Sequence, residues 1–161
     1  MNVIIANRQR TKKINLRLLK QIVNELFAEL KIEEGELGIH LVGDKEMARV
    51  NWQFLRHEGS TDVITFDHLN PESRIQNPEL KLQGELFACI DEAILQAKKF
   101  GVSWQAEIVR YIIHGVLHLL GHVDHRVAPR RKMKHEENRL LRALSRRFSL
   151  AQISRTPKIS V

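Results

Sequence analysis

Cysteine is almost missing from this chain: its 161 residues include one, Cys89. No internal disulfide can form, and a zinc site built on several thiolates is excluded. Long apolar runs are missing as well. Val3-Ile4-Ile5-Ala6 is typical, whereas a membrane span needs about 18 or more consecutive apolar residues. The first ten residues, MNVIIANRQR, lack the ordered basic, apolar and small-residue regions of a secretory leader. These absences lead us to expect a cytoplasmic protein in a reducing compartment, with no membrane partner. Proline is scarce, at four residues, and two of these, Pro71 and Pro78, fall in the polar stretch 68–82, which reads as a loop.

Acidic residues are missing from both ends. Residues 1–24 hold six Lys/Arg and no acids, and residues 126–161 hold eleven Lys/Arg against Glu136 and Glu137 alone. The centre, 25–125, reverses the balance, with nine Lys/Arg against seventeen acids. Basic ends suit a polyanionic partner such as nucleic acid, although a pair of solvated basic helices would read the same way.

What is present is an alternation of strands and helices. Asn2–Ala6 reads as a strand. Asn15 caps a helix to about Lys31, with Leu18, Leu19, Ile22, Val23, Leu26, Phe27 and Leu30 at helical spacing. Residues 36–42 alternate Leu37, Ile39 and Leu41 against polar or small neighbours, as a half-buried strand does. Asp44 is expected to cap a second helix. Thr61–Phe66 and Glu85–Ile90 read as further strands, and a helix covers Asp91 to Lys99. Ser103 caps the next helix, which runs to Gly121, and a last amphipathic helix covers Arg130 to Arg147. The expected fold is α+β: one domain over 1–148, a small mixed sheet of about four strands with flanking helices, and a disordered tail over 149–161.

The densest chemistry lies in HGVLHLLGHVDH, residues 114–125, which holds four of the eight histidines. His114 and His118 stand one turn apart and ~40° around a helix, so both imidazoles reach one ion. A lone pair at this spacing is more often two hydrogen-bonded core histidines. The candidate ligands beyond a helix-stopping glycine make a zincin-like metal helix the better reading. His122 is excluded from the ligand set, because a continuing helix would put it ~12 Å along the axis from His114. Asp124 and His125 both remain. A metalloprotease needs Glu directly after the first His. Here that residue is Gly115, which has no side chain, and the protease reading is set aside.

HGVLHLLG resembles the HGxLHLxGxDH signature of the YbeY family of rRNA maturation factors. Arg56 followed by Ser60-Thr61-Asp62-Val63-Ile64-Thr65-Phe66 is similar to that family's R…TDVLSF segment. Gly84-Glu85-Leu86-Phe87-Ala88-Cys89-Ile90 is similar to its GDIxIS strand, with Glu for Asp. The likeness runs from about residue 2 to 147. It implies a zinc-dependent, single-strand-specific endoribonuclease acting in 16S rRNA 3′-end maturation and ribosome quality control. The implied partners are single-stranded rRNA and the ribosome or its small subunit. It implies one zinc held by three side chains, and a catalytic role for Arg56, whose guanidinium suits developing phosphate charge. The alternative reading for Arg56 is a surface ion pair with Glu58. At the family's third-histidine position this chain has Asp124, with His125 one residue later. An ungapped match makes Asp124 the third ligand, and an inserted residue in the turn makes it His125.

Two other classes stay open on the sequence. One is a non-catalytic ribosome- or RNA-binding factor with a structural zinc, to which Asp124 and His125 together would supply a fourth ligand. The other is a zinc-dependent hydrolase of a different substrate. Thr61, Asp62 and Thr65 either line the cleft or only pair a strand, and Glu85 is expected to make structural hydrogen bonds. Trp52, Phe54 and Trp104 are either base-stacking rings or, as is commoner for aromatics on apolar helical faces, core residues. The basic helix over 126–147 is the expected contact for an RNA backbone.

Overall fold

The first helix begins where its cap requires. The Asn15 side chain accepts the Leu18 N–H at 3.1 Å, and helix α1 (Leu16–Glu29) buries Leu19, Ile22, Val23, Leu26 and Phe27 on one face. The computed structural model describes residues 1–69, 72 and 81–154. Around α1 it shows a single α+β domain with four strands: β1 (Asn2–Asn7), β2 (Glu34–Val42), β3 (Val63–Asp67) and β4 (Lys81–Cys89). They form one mixed sheet in the order β1-β2-β4-β3. β1 runs parallel to β2 and β2 parallel to β4, whereas β3 pairs antiparallel with β4. Most of the stretch 68–82 expected to be a loop lies outside the described residues.

The period-2 pattern of β2 and β4 decides which face is core. Leu37, Ile39 and Leu41 on β2 and Leu82, Leu86 and Ala88 on β4 are fully buried, together with the inner face of α1. A smaller cluster of Val42, Met47, Val50, Ile64 and Cys89 lies apart from this core. In it the short helix α2 (Asp44–Val50) contributes Met47 and Val50, and strands β2, β3 and β4 contribute Val42, Ile64 and Cys89. The expected cap of α2 needs correction. Gly43 holds the N-cap position, and the Asp44 N–H is satisfied from outside, by the Asp91 carboxylate at 2.8 Å. That partner is set by tertiary packing, so the local sequence could not reveal it.

Helix α3 (Ile90–Phe100) leads into α4 (Trp104–Leu119), the helix that carries the histidine pair. Ser103 caps α4, its hydroxyl accepting the Ala106 N–H at 3.1 Å. Replacing Ser103 by Ala should cost about 1 kcal/mol in a denaturant titration, the usual value of such a cap. At its other end α4 closes in a Schellman turn. Gly121 takes φ +98, its N–H bonds the His118 carbonyl at 2.9 Å, and the His122 N–H bonds the Leu117 carbonyl at 3.0 Å. Glycine is suited to this left-handed position because it has no Cβ. The turn sends the chain back along α4, which is how residues 122–125 come to lie near the histidines.

Helix α5 (Val127–Arg147) packs against α4 and α1 through Met133, Leu140 and Leu144. Part of its charge is spent on ion pairs: Arg147 reaches Glu25 at 2.7 Å, and Arg139 pairs with Glu136 and Glu29. The chain beyond 148, expected to be disordered, forms a 3-10 turn over Leu150–Ser154. Ile153 is fully buried there and its carbonyl accepts the Asn15 N–H at 2.7 Å. Ile153, the partly buried Leu150, this backbone bond and a hydrogen bond from Gln105 to the Ser154 hydroxyl at 3.1 Å anchor the turn, and none of them leaves a periodic pattern. Residues 155–161 lie outside the described set.

Candidate metal centre

His114 and His118 project from the same side of α4, with their Nε2 atoms 3.0 Å apart. The return after Gly121 brings Asp124 to them: its Oδ2 lies 3.6 Å from His114 Nε2 and 3.4 Å from His118 Nε2. One donor atom from each of the three residues falls within 4.8 Å of the others, and all three side chains are half-buried. Two imidazoles and a carboxylate are a donor set that suits zinc. His125 is exposed and stands outside this group. His122 contributes its backbone to the helix closure.

The residue behind His114 is one the sequence did not single out. Glu137 on α5 is 6% exposed, and its Oε1 lies 3.4 Å from His114 Nδ1. A carboxylate on the far side of a ligating imidazole fixes its tautomer and orientation. Burial works against a charged His114, but Glu137, Asp62 and Asp124 outweigh it and hold its pKa above the usual value. The available signal was Glu137's rarity, one of two acids in a basic stretch. What it lacked was the register of α5 against α4, which sequence spacing does not encode.

Two of the three donors, His114 and Asp124, line a cleft of about 550 Å³ between α3, α4, α5 and the Ser60–Asp62 segment. Ser60, Thr61 and Asp62 all line it, and Arg130 and Lys134 bring basic side chains from α5. Asp62 accepts the Val63 N–H at 2.7 Å, which locks the turn into β3. Thr65 instead faces α4: a Cβ built on Gly115 would meet the Leu86 side chain at 3.0 Å, Thr65 at 3.3 Å and Val63 at 3.4 Å. Position 115 therefore points into the sheet. A glutamate there would be buried against β3 and β4 rather than presented to the three donors.

Arg56 does not line the cleft. It ends a π-helical turn (Asn51–Leu55) in a left-handed conformation, φ 56, which is uncommon for a residue with a Cβ. The turn is tied down by Asn51, whose side-chain amide donates to the Gly59 carbonyl at 2.9 Å. The Arg56 guanidinium lies 5.6 Å from the Trp52 ring centroid, a cation–π contact rather than the ion pair with Glu58 of the alternative reading. Trp52 and Phe54, expected in the core, are half exposed on this turn. Glu85 does make structural contacts, to His40 at 2.8 Å and His68 at 3.0 Å, and these hydrogen bonds lower its pKa.

A second set of donors, Asp44, Cys89 and Asp91, also converges. Its members are already engaged: Asp91 accepts from Thr11 and from the Asp44 N–H, and the Cys89 thiol donates to Asp44 at 3.4 Å. Burial pushes the Cys89 thiol up to about 11, so it stays protonated near neutral pH. This set serves as the cap of α2.

The chain resembles known proteins along most of its length. The family model described as endoribonuclease YbeY matches residues 4–145. An endoribonuclease YbeY of Geobacter metallireducens is 30% identical over 148 residues, covering 91% of this chain and 97% of that protein. One of Chlorobium phaeovibrioides is 35% identical over 126 residues, covering 78% and 80%. One of Bacteroides thetaiotaomicron is 36% identical over 107 residues, covering 66% and 72%. The solution structure of a Thermotoga maritima protein matches with a TM-score of 0.66 over 99% of both chains; at 19% identity it speaks for the fold alone. None of the described helices is long and apolar enough to cross a membrane. The match of the family model and the extent of these relatives establish that this chain belongs to the endoribonuclease YbeY family.

Proposed function

We propose that this chain is a zinc-dependent endoribonuclease that cuts single-stranded RNA, acting in 16S rRNA 3′-end maturation and ribosome quality control in the cytoplasm. The observation that carries the reading is the convergence of His114, His118 and Asp124 beside a polar cleft that His114 and Asp124 line, in a chain of an endoribonuclease family. These three side chains would hold one zinc ion. When bound, the ion supplies Lewis-acid polarisation of a phosphoryl oxygen and a lowered pKa for a coordinated water.

The chain's own residues do the positioning. Glu137 accepts from the Nδ1 side of His114 and turns Nε2 toward the other two donors. Arg130 and Lys134 supply positive charge along the cleft for the backbone of a bound strand. Arg56 is held on its turn four residues before Ser60, and in this reading its guanidinium reaches a phosphate of the strand and stabilises developing charge there. With His125 outside the group, three protein donors remain. That number fits a catalytic site better than a structural zinc, which usually has four.

Two substitutions separate these roles. Arg56→Ala should lower the rate of RNA cleavage by about 10²-fold, with bound zinc unchanged. Unchanged cleavage in that variant would remove Arg56 from the site. Glu137→Gln should keep the fold and weaken zinc binding by about 10- to 100-fold, measured by competition with a chelating dye.

A further inference from the structure

Away from the three donors the same cleft holds groups that metal binding leaves unexplained. Glu107 lines it from α4 and is 7% exposed. Among the described residues its one close cation is Arg110, with Nε 3.6 Å from Oε1, too long for a good hydrogen bond. Burial raises its pKa, which Arg110 and Lys134 partly counter. Lining the cleft, its carboxylate keeps acceptor capacity for a ligand. Next to it, Tyr111 is 6% exposed and its hydroxyl has no hydrogen-bond partner among the described residues. Arg110 itself is fixed from α5, with its Nη1 donating to Asn138 at 2.9 Å. At the mouth stands Phe100, 65% exposed, an aromatic ring that also lines the cleft.

A wall of polar groups that includes the unpartnered Tyr111 hydroxyl, and a rim aromatic, beside a phosphodiester-cutting centre, match the needs of an unpaired nucleobase. Such bases are held by stacking on aromatic rings and by hydrogen bonds to their Watson–Crick edges. The volume, about 550 Å³, lies within the usual range of ligand sites. The arrangement also selects among bases. A carboxylate offers acceptors only, and a neighbouring guanidinium offers donors only. Guanine is the one base whose Watson–Crick edge presents two adjacent N–H donors, N1–H and N2–H, followed by an acceptor, O6. Glu107 and Arg110, side by side, are the complement of that edge.

We infer that the Glu107–Arg110 wall is a subsite for an unpaired guanine adjoining the cut phosphate, with Phe100 stacking on the base. The inference rests on the endoribonuclease reading above and deepens it. It also supplies a physical source for single-strand selectivity, because in a duplex this edge of guanine is occupied by its partner.

The test uses uridine-rich single-stranded RNAs that carry one guanosine at successive positions. The zinc-loaded protein is expected to cut next to the guanosine wherever it is placed. Inosine, which lacks the N2 amino group, should be cut less well. Glu107→Gln should lower the preference for guanosine over uridine by about ten-fold or more, the discrimination of a good bidentate contact to a base edge. Its melting temperature and zinc content should be unchanged, and it should no longer distinguish guanosine from inosine. Phe100→Ala, an exposed position that does not threaten folding, should raise KM for every RNA and leave the base preference intact. Cutting by the native protein without regard to guanosine position would overturn the inference while sparing the nuclease reading. So would a Glu107→Gln variant slowed equally on all RNAs. No cutting of any RNA by the zinc-loaded protein would overturn both.

Discussion

Replacing Asp124 by Ala should remove the bound zinc and lower RNA cleavage by about 10³-fold or more, the several kcal/mol a metal ion contributes. Replacing His125 by Ala should change neither. The contrast follows from the turn after α4. Gly121 reverses the chain so that the Asp124 carboxylate sits within 3.6 Å of both imidazoles, and His125, one residue on, stands outside the group. Zinc content by mass spectrometry of the intact holo-protein and cleavage of one labelled RNA give both readouts. The two variants carry neighbouring changes in an exposed turn, so unfolding cannot explain a difference between them. A chain that kept its zinc without Asp124 and lost it without His125 would reverse the assignment.

The second large effect is at Gly115. Gly115→Glu should leave most of the chain unfolded, whereas Gly115→Ala should stay within about 1 kcal/mol of the native protein. A Cβ at this position meets the end of the Leu86 side chain at 3.0 Å, and that flexible contact can yield. Alanine also favours a helix interior over glycine by about 1 kcal/mol, which offsets the crowding. A glutamate instead drives a charge between α4 and strands β3 and β4, against the Leu86, Thr65 and Val63 side chains. An unpaired buried carboxylate costs several kcal/mol against a total stability of about 5–15 kcal/mol. Denaturant titrations of the two variants check this. A well-folded Gly115→Glu protein would show that position 115 has access to solvent or to the cleft, and would reopen the peptidase reading.

Features fixed by short-range chemistry were legible in the sequence. Asn15 and Ser103 cap their helices with their own side chains, and the period of α1 names its buried residues. The closure at Gly121 follows from glycine's freedom at positive φ, and the i, i+4 pair His114 and His118 follows from the helical repeat. Features fixed by packing between distant elements were not. Asp91 caps a helix 47 residues earlier, and Glu137 reaches His114 only because α5 docks on α4 in one register. Trp52 and Phe54 misled for the opposite reason: apolar residues near the end of a helix imply a core, but a π turn rotates them outward. Gly115 was read as a missing general base. Its role is close approach of helix and sheet, which only the facing Leu86, Thr65 and Val63 reveal.

Metal-dependent cutting of single-stranded RNA is the central claim, and one assay addresses it directly. The purified chain is stripped with a chelator, then reloaded with zinc, and offered an unstructured RNA and the same sequence as a duplex. The account predicts no internal cleavage by the stripped protein and full recovery with one equivalent of zinc. It also predicts cleavage of the single strand in preference to the duplex. Cleavage that persists in the stripped protein, or a zinc-saturated protein that leaves the single strand intact, would contradict it.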